Sequence, residues 1–146
     1  MSKVSDFPYE STLEVRDTCM CLHLQRAARA VARRFDEAFR PLGLTNGQFS
    51  ILMSLNRPEA PVMGDVARLL ALDRTTLTAN LKPLERRGLV EIRPDADDRR
   101  SRRLKLTKDG EQLLLQAHPI WRDTHADLDS QIDDPQRLRD DLLKLA

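Results

Sequence analysis

The sequence predicts a mainly α fold with a small β-wing: a winged helix-turn-helix domain flanked by N- and C-terminal dimerisation helices. Three observations carry this. The first is an apolar-periodic segment, Val62-Met63-Gly64-Asp65-Val66-Ala67-Arg68-Leu69-Leu70, a short break at Ala71-Leu72, and a second helix opened by Asp73, whose carboxylate is placed to cap the amides of Thr75 and Thr76. That is the spacing of a helix-turn-helix. The second lies after Gly88, where Leu89-Val90-Glu91-Ile92-Arg93, an acidic turn from Pro94 to Asp98, and Arg99 to Thr107 with its Leu104/Leu106 alternation read as two strands around an Arg-rich tip. The third is the helical character of both ends of the chain.

Taken in order, Ser11-Thr12-Leu13-Glu14 has the form of a capping box, and no Gly or Pro follows until Pro41, which predicts one helix of about 30 residues. On a helical projection Leu13, Met20, Cys21, Leu24, Ala27, Ala28, Val31, Phe35, Ala38 and Phe39 share a side, and Arg26, Arg29, Arg33 and Arg40 lie opposite. Thr45-Asn46-Gly47-Gln48 forms a second capping box before a short apolar helix through Phe49, Ile51, Leu52 and Leu55, ended by Pro58 and Pro61. In the second helix of the helix-turn-helix, Leu77, Leu81 and Leu84 recur at i, i+4 and i+7 and should face the core. Pro83 predicts a kink or a tightened last turn there. From Lys108 a helical pattern runs toward Pro119 and Trp121, and a last helix begins near Asp134-Pro135.

A chain of 146 residues with 40% hydrophobic content is expected to form a single domain, 1–146, with dimerisation helices at about 11–41 and 109–146 and the winged helix-turn-helix at about 45–107. A helix of about 30 residues spans roughly 45 Å, too long for so small a monomer to cover, and a two-fold partner is the expected remedy. No apolar run approaches a membrane span and no charged-then-apolar leader opens the chain, so a cytoplasmic protein is expected, without membrane contact. Net charge is only +1 but is segregated: residues 74–108 hold eleven Lys/Arg against five Asp/Glu, whereas residues 109–146 hold four against nine. A local basic patch is the footprint of a phosphate-binding surface. With the three leucines inward, Thr75, Ala79, Lys82 and Arg86 face outward with Arg74 and Thr78 beside them, placing hydroxyls, methyls and a guanidinium where base edges or phosphates of a major groove would lie.

The chain resembles the MarR family of winged-helix regulators over nearly its whole length. The resemblance rests on Leu42-Gly43-Leu44-Thr45 with Gln48-Phe49, Leu72-Asp73-Arg74-Thr75-Thr76-Leu77-Thr78, Leu84-Glu85-Arg86-Arg87-Gly88-Leu89-Val90, and above all Asp98-Arg99-Arg100 followed by Leu106-Thr107 and Gly110. It implies a homodimer on double-stranded DNA, at a pseudo-palindromic operator, usually a repressor that lets go when a small phenolic or lipophilic ligand or an oxidant acts on it. It also implies that Arg100 enters the minor groove with Asp98 holding it or the turn, and that Arg99, Arg102 and Arg103 supply backbone charge. DNA contacts are therefore expected from Arg74, Thr75, Thr76, Thr78, Ala79, Lys82, Arg86, Asp98, Arg99, Arg100 and Arg102.

Cys19, Cys21 and His23 invite a metal reading, but on a regular helix Cys21 points away from the other two, and no metal or cofactor is expected. Cys21 aligns with the reactive cysteine of the family's organic-hydroperoxide-sensing branch, while that branch's tyrosines align with Gln25, Phe35 and Asn46, so Cys21 is expected as a buried structural residue lacking hydrogen-bond partners for a thiolate. A small organic effector is the expected trigger, with Cys21, His23, Arg26, Phe49, His118 and Trp121 as candidate pocket residues. The alternatives are a peroxide sensor using Cys21 and a winged-helix module that binds DNA or protein without sequence preference. No catalytic residues are expected, because a Cys-x-His on one helix turns nucleophile and base apart.

Overall fold

A computed structural model describes residues 6–146; the first five, where a leader segment would begin, lie outside it. The helices are α1 (Tyr9–Thr18), α2 (Met20–Phe39), a 3-10 turn (Arg40–Leu42), α3 (Asn46–Ser54), α4 (Met63–Leu69), α5 (Arg74–Arg86), α6 (Lys108–Ser130) and α7 (Pro135–Leu143), with strands β1 (Val90–Pro94) and β2 (Arg102–Leu106) between α5 and α6. The described residues separate into two compact units, one up to Arg34 and one from Phe35 on, the boundary falling within α2.

In the first unit the single long helix expected from Ser11 is two helices. The first starts at Tyr9 behind Pro8 with no side-chain cap, so Ser11 is not the N-cap. The chain leaves helical geometry at Cys19 (φ −66°, ψ 110°) and re-enters it at Met20. Asp17, Thr18 and Cys19 are three consecutive weak helix formers. The Thr18 hydroxyl donates to the Glu14 carbonyl at 2.7 Å, and the Cys19 sulfur accepts the Leu22 amide at 3.4 Å in the manner of an N-cap. Apolar periodicity runs on across this break, which is why the projection missed it. Cys21 is likewise corrected: it is exposed rather than buried. Within α2 the buried residues are Phe35 and Phe39, and Cys21, Ala27 and Ala28 are exposed.

In the second unit Phe39 packs against Phe35 and Phe49, with ring centroids 6.0 and 4.7 Å apart. The core continues through Ile51, Leu52, Val66, Leu77, Leu81, Leu84, Val90 and Leu104. The expected capping box of α3 is present, Thr45 accepting the Gln48 amide while the Gln48 side chain accepts the Thr45 amide. Asp36 Oδ1 also accepts the Asn46 amide at 2.7 Å and its side-chain nitrogen at 2.8 Å, fastening the end of α2 to the start of α3. Gly43 takes the left-handed turn after the 3-10 segment (φ +64°), and Arg87 donates to the carbonyls of Gly43 and Leu42 at 2.8 and 3.2 Å.

The antiparallel wing pairs Val90 with Leu106, Ile92 with Leu104 and Pro94 with Arg102. Leu104 and Leu106 are buried as their alternation predicts. At its base Thr107 caps α6: its hydroxyl accepts the Gly110 amide at 3.1 Å and donates to the Gly88 carbonyl at 2.6 Å. Gly110 is buried so closely that a Cβ there would stand 2.5 Å from the Leu89 carbonyl oxygen. Both internal prolines are accommodated. The fifth helix runs on to Arg86, the Arg87 amide still bonding the Pro83 carbonyl at 3.1 Å, and α6 passes through Pro119 without ending. Asp134 caps the last helix through the Arg137 amide.

Candidate nucleic-acid interface

The turn of the helix-turn-helix is built at Ala71, a non-glycine residue at φ +52°, with the Leu72 amide bonding the Ala67 carbonyl at 2.9 Å. Asp73 then opens α5. Its carboxylate accepts the Thr76 amide at 2.7 Å and the Thr76 hydroxyl at 3.0 Å. These bonds, that from the Thr76 amide first, hold the Asp73 carboxyl below the ordinary carboxylate range. Because Leu77, Leu81 and Leu84 are fully buried, the rest of the helix must present its other face: Arg74, Thr75, Thr76, Thr78, Ala79, Lys82 and Arg86 are all exposed. The Thr78 hydroxyl donates back to the Arg74 carbonyl at 2.8 Å, which leaves its oxygen lone pairs outward. Arg74 lies beside Gly64 of α4, where a Cβ would stand 3.7 Å from its Nη2.

At the wing tip Asp98 holds the turn rather than the Arg100 side chain. Its Oδ1 accepts the Arg100 amide at 3.0 Å, its carbonyl accepts the Ser101 amide at 3.0 Å, and the Asp95 amide closes the loop onto the Ser101 carbonyl at 3.0 Å. Arg99, Arg100 and Arg102 are exposed around this turn. Arg103, expected to supply backbone charge, is turned inward: its Nε donates to Asp95 Oδ1 at 3.1 Å and its Nη1 to the Ala60 carbonyl at 2.7 Å.

The candidate pocket residues divide. Phe49, His118 and Trp121 come together with Met53, Leu69 and Leu70 around an open apolar cavity of about 480 Å³ between α3, the end of α4 and α6. His118 and His125 stack on Trp121, with centroids 5.9 and 4.7 Å away. His23 and Arg26 instead line an arginine-rich hollow on α2 with Arg29 and Arg33, and Cys21 lines neither. The Cys21 sulfur does have a hydrogen-bond donor, Gln25 Nε2 at 3.2 Å, at one of the positions from which partners were expected to be missing. Among the described residues no group of three or more His, Cys, Asp or Glu could hold a metal ion, and no helix is long and apolar enough to cross a membrane.

Sequence reasoning missed Arg87 and Asp95 and gave Arg103 a different role; the side chain of Arg87 bonds the Gly43 and Leu42 carbonyls, and that of Arg103 bonds Asp95 and the Ala60 carbonyl. Their only signal was membership of Arg-rich and acidic runs whose members look alike. Thr107 and Gly110 were visible as a motif but not as the joint between wing and α6.

A family model described as the MarR family matches residues 42–101. The transcriptional activatory protein BadR of Rhodopseudomonas palustris is 36% identical over 93 residues, 62% of this chain and 53% of that protein, so the chain spans about half the length of this curated relative. The M. tuberculosis transcriptional regulator MosR, solved in complex with DNA, is 38% identical with a TM-score of 0.81, covering 88% of this chain and 93% of that one. CouR from Rhodococcus jostii RHA1, solved with p-coumaroyl-CoA bound, is 25% identical with a TM-score of 0.73, covering 84% and 87%. The buried leucines and exposed face of α5, the two-stranded wing and these likenesses agree: the chain belongs to the MarR family of winged helix-turn-helix transcriptional regulators, which are not enzymes.

Proposed function

We propose that the chain is a homodimeric, sequence-specific DNA-binding regulator that represses transcription from a pseudo-palindromic operator and is released by a small aromatic or lipophilic ligand. The observation that carries the DNA reading is the exposed face of α5 beside a wing tip whose three outward arginines surround a turn fixed by Asp98. Arg74 at the start of the recognition helix suits bidentate contact with guanine in the major groove, and Arg100 suits a narrow minor groove. The ligand reading is supported by the apolar cavity at Phe49, His118 and Trp121, in which a planar acyl or aromatic group would lie against the indole and imidazole faces. CouR's bound coumaroyl thioester is an example of such chemistry on this fold. Repression is the proposed direction; BadR is named an activator, and a reporter fusion in cells with and without the protein decides the sign.

A second reading has specific support. Cys21 is exposed and accepts a hydrogen bond from Gln25, so release by a hydroperoxide acting on this thiol competes with ligand release. The test compares affinity for DNA upstream of the protein's own gene with affinity for random duplex at one stated salt concentration, then titrates aromatic acids, acyl thioesters and hydroperoxides into the complex. Equal affinities would leave a module without sequence preference. Release by a thioester or aromatic acid, retained in Cys21→Ser, is the result expected. Release at micromolar peroxide, abolished in that variant, would replace the ligand reading with the redox one.

A further inference from the structure

We propose that Arg103 and Asp95 form a latch that sets the wing against the helix-turn-helix, so that Arg103 positions the DNA-reading arginines without touching DNA itself. A two-stranded ribbon standing alone is marginally stable, and this one is braced by a third segment. The Leu104 amide donates to the Pro61 carbonyl at 2.9 Å, and Val62 bridges Arg103, so residues 60–62 run beside β2 on the approach to α4. Arg103 spans this joint. Its guanidinium reaches the Ala60 carbonyl on one side and Asp95, the first residue of the wing turn, on the other. The side chain of Asp95 is 14% exposed and that of Arg103 39%, unlike the exposed arginines around them. Two acceptors in different directions suit a planar five-donor fork and not a lysine's single ammonium. Asp95 also closes the tip through its own amide, so Asp95 and Arg103 together join the tip to the segment that leads into α4.

This rests on the DNA reading above, and the test separates the two. Arg103→Met and Asp95→Ala are compared with wild type in the full chain, on the upstream duplex, across a salt series. The latch predicts about tenfold weaker binding for each, with the slope of log K against log salt unchanged, because no phosphate contact is lost. The sign for Asp95→Ala is decisive: if charge alone mattered, removing an acidic residue from a DNA-facing wing would tighten binding. Amide exchange on the free protein supplies a readout independent of DNA. The Asp95 and Ser101 amides exchange faster in both variants if the latch holds the tip. Unchanged exchange, a slope shallower by about one unit in Arg103→Met, or tighter binding by Asp95→Ala would each overturn the proposal. A wild-type chain that bound no duplex would defeat the DNA reading while the exchange data still judged the latch.

Discussion

Among single residues, the proposed interface gives α5 and the wing different roles that substitutions can separate. Arg100→Ala should weaken operator binding by about 1 to 3 kcal/mol and reduce preference for A·T-rich flanks, whereas Lys82→Ala should weaken all duplexes alike and lower the salt slope by about one unit. Fluorescence anisotropy over a salt series distinguishes these outcomes, and unchanged binding in both variants would take the recognition helix and the wing out of the interface. Asp73 is a further test, because its depressed carboxyl pKa links it to stability. A group whose folded pKa lies below its unfolded value stabilises the fold above that unfolded value, about 3.9, and loses this contribution as the pH falls through the folded one. Asp73→Asn should therefore melt below wild type at neutral pH, with the difference shrinking only in the acid range. A difference that stayed constant to pH 2 would assign the effect to something other than the carboxylate.

For whole elements, the helix-turn-helix and wing were legible because three local signals coincide there: period, cap and turn chemistry. Leu77, Leu81 and Leu84 alone fix which way α5 faces, and Thr45 with Gln48 fixes where α3 starts. The terminal helices were less legible, since the apolar stripe continues across Cys19 and only the weak helix formers Asp17-Thr18-Cys19 marked the break. The helical pattern from Lys108 runs on past Pro119 and Trp121 to Ser130, burial of Leu114 and Ala117 outweighing one missing hydrogen bond. Arg103 was illegible for another reason: its acceptors lie 8 and 43 residues away, a pairing that no local pattern encodes. A tight joint between elements lies at Gly110. Gly110→Ala would drive a methyl into the Leu89 carbonyl and the Leu106 side chain, and overpacking of this kind costs about 1 to 3 kcal/mol. Thermal denaturation should show the loss, with the wing amides more affected than those of α3; an unchanged melting temperature would show that the wing base yields freely.

Over the molecule as a whole, charge and apolar surface are distributed unevenly. The basic excess of residues 74–108 coincides with the proposed DNA face, and the acidic excess of 109–146 with α6 and α7. Leu138, Leu142, Leu143 and Leu145 of the C-terminal segment are exposed, as are Phe7, Tyr9, Val15 and Met20 near the other end. Apolar surface left at both termini is what the proposed dimer would cover. Deleting residues 111–146 should abolish the dimer and lower solubility, as read by sedimentation equilibrium. A truncated chain that still sedimented as a soluble dimer would move the interface elsewhere.

The fork of Arg87 turns the recognition helix into a gauge. The same residue that ends that helix holds the carbonyls of Leu42 and Gly43, so the reading face and the turn closing α2 share one anchorage rather than meeting through slack chain. Hydrogen bonds to base edges form only within a window of about half an ångström. If Arg74 and Thr78 read bases as proposed, a displacement of that size at the end of α2, passed on through Arg87, would take them out of register, and DNA affinity would then measure where that end of the helix stands.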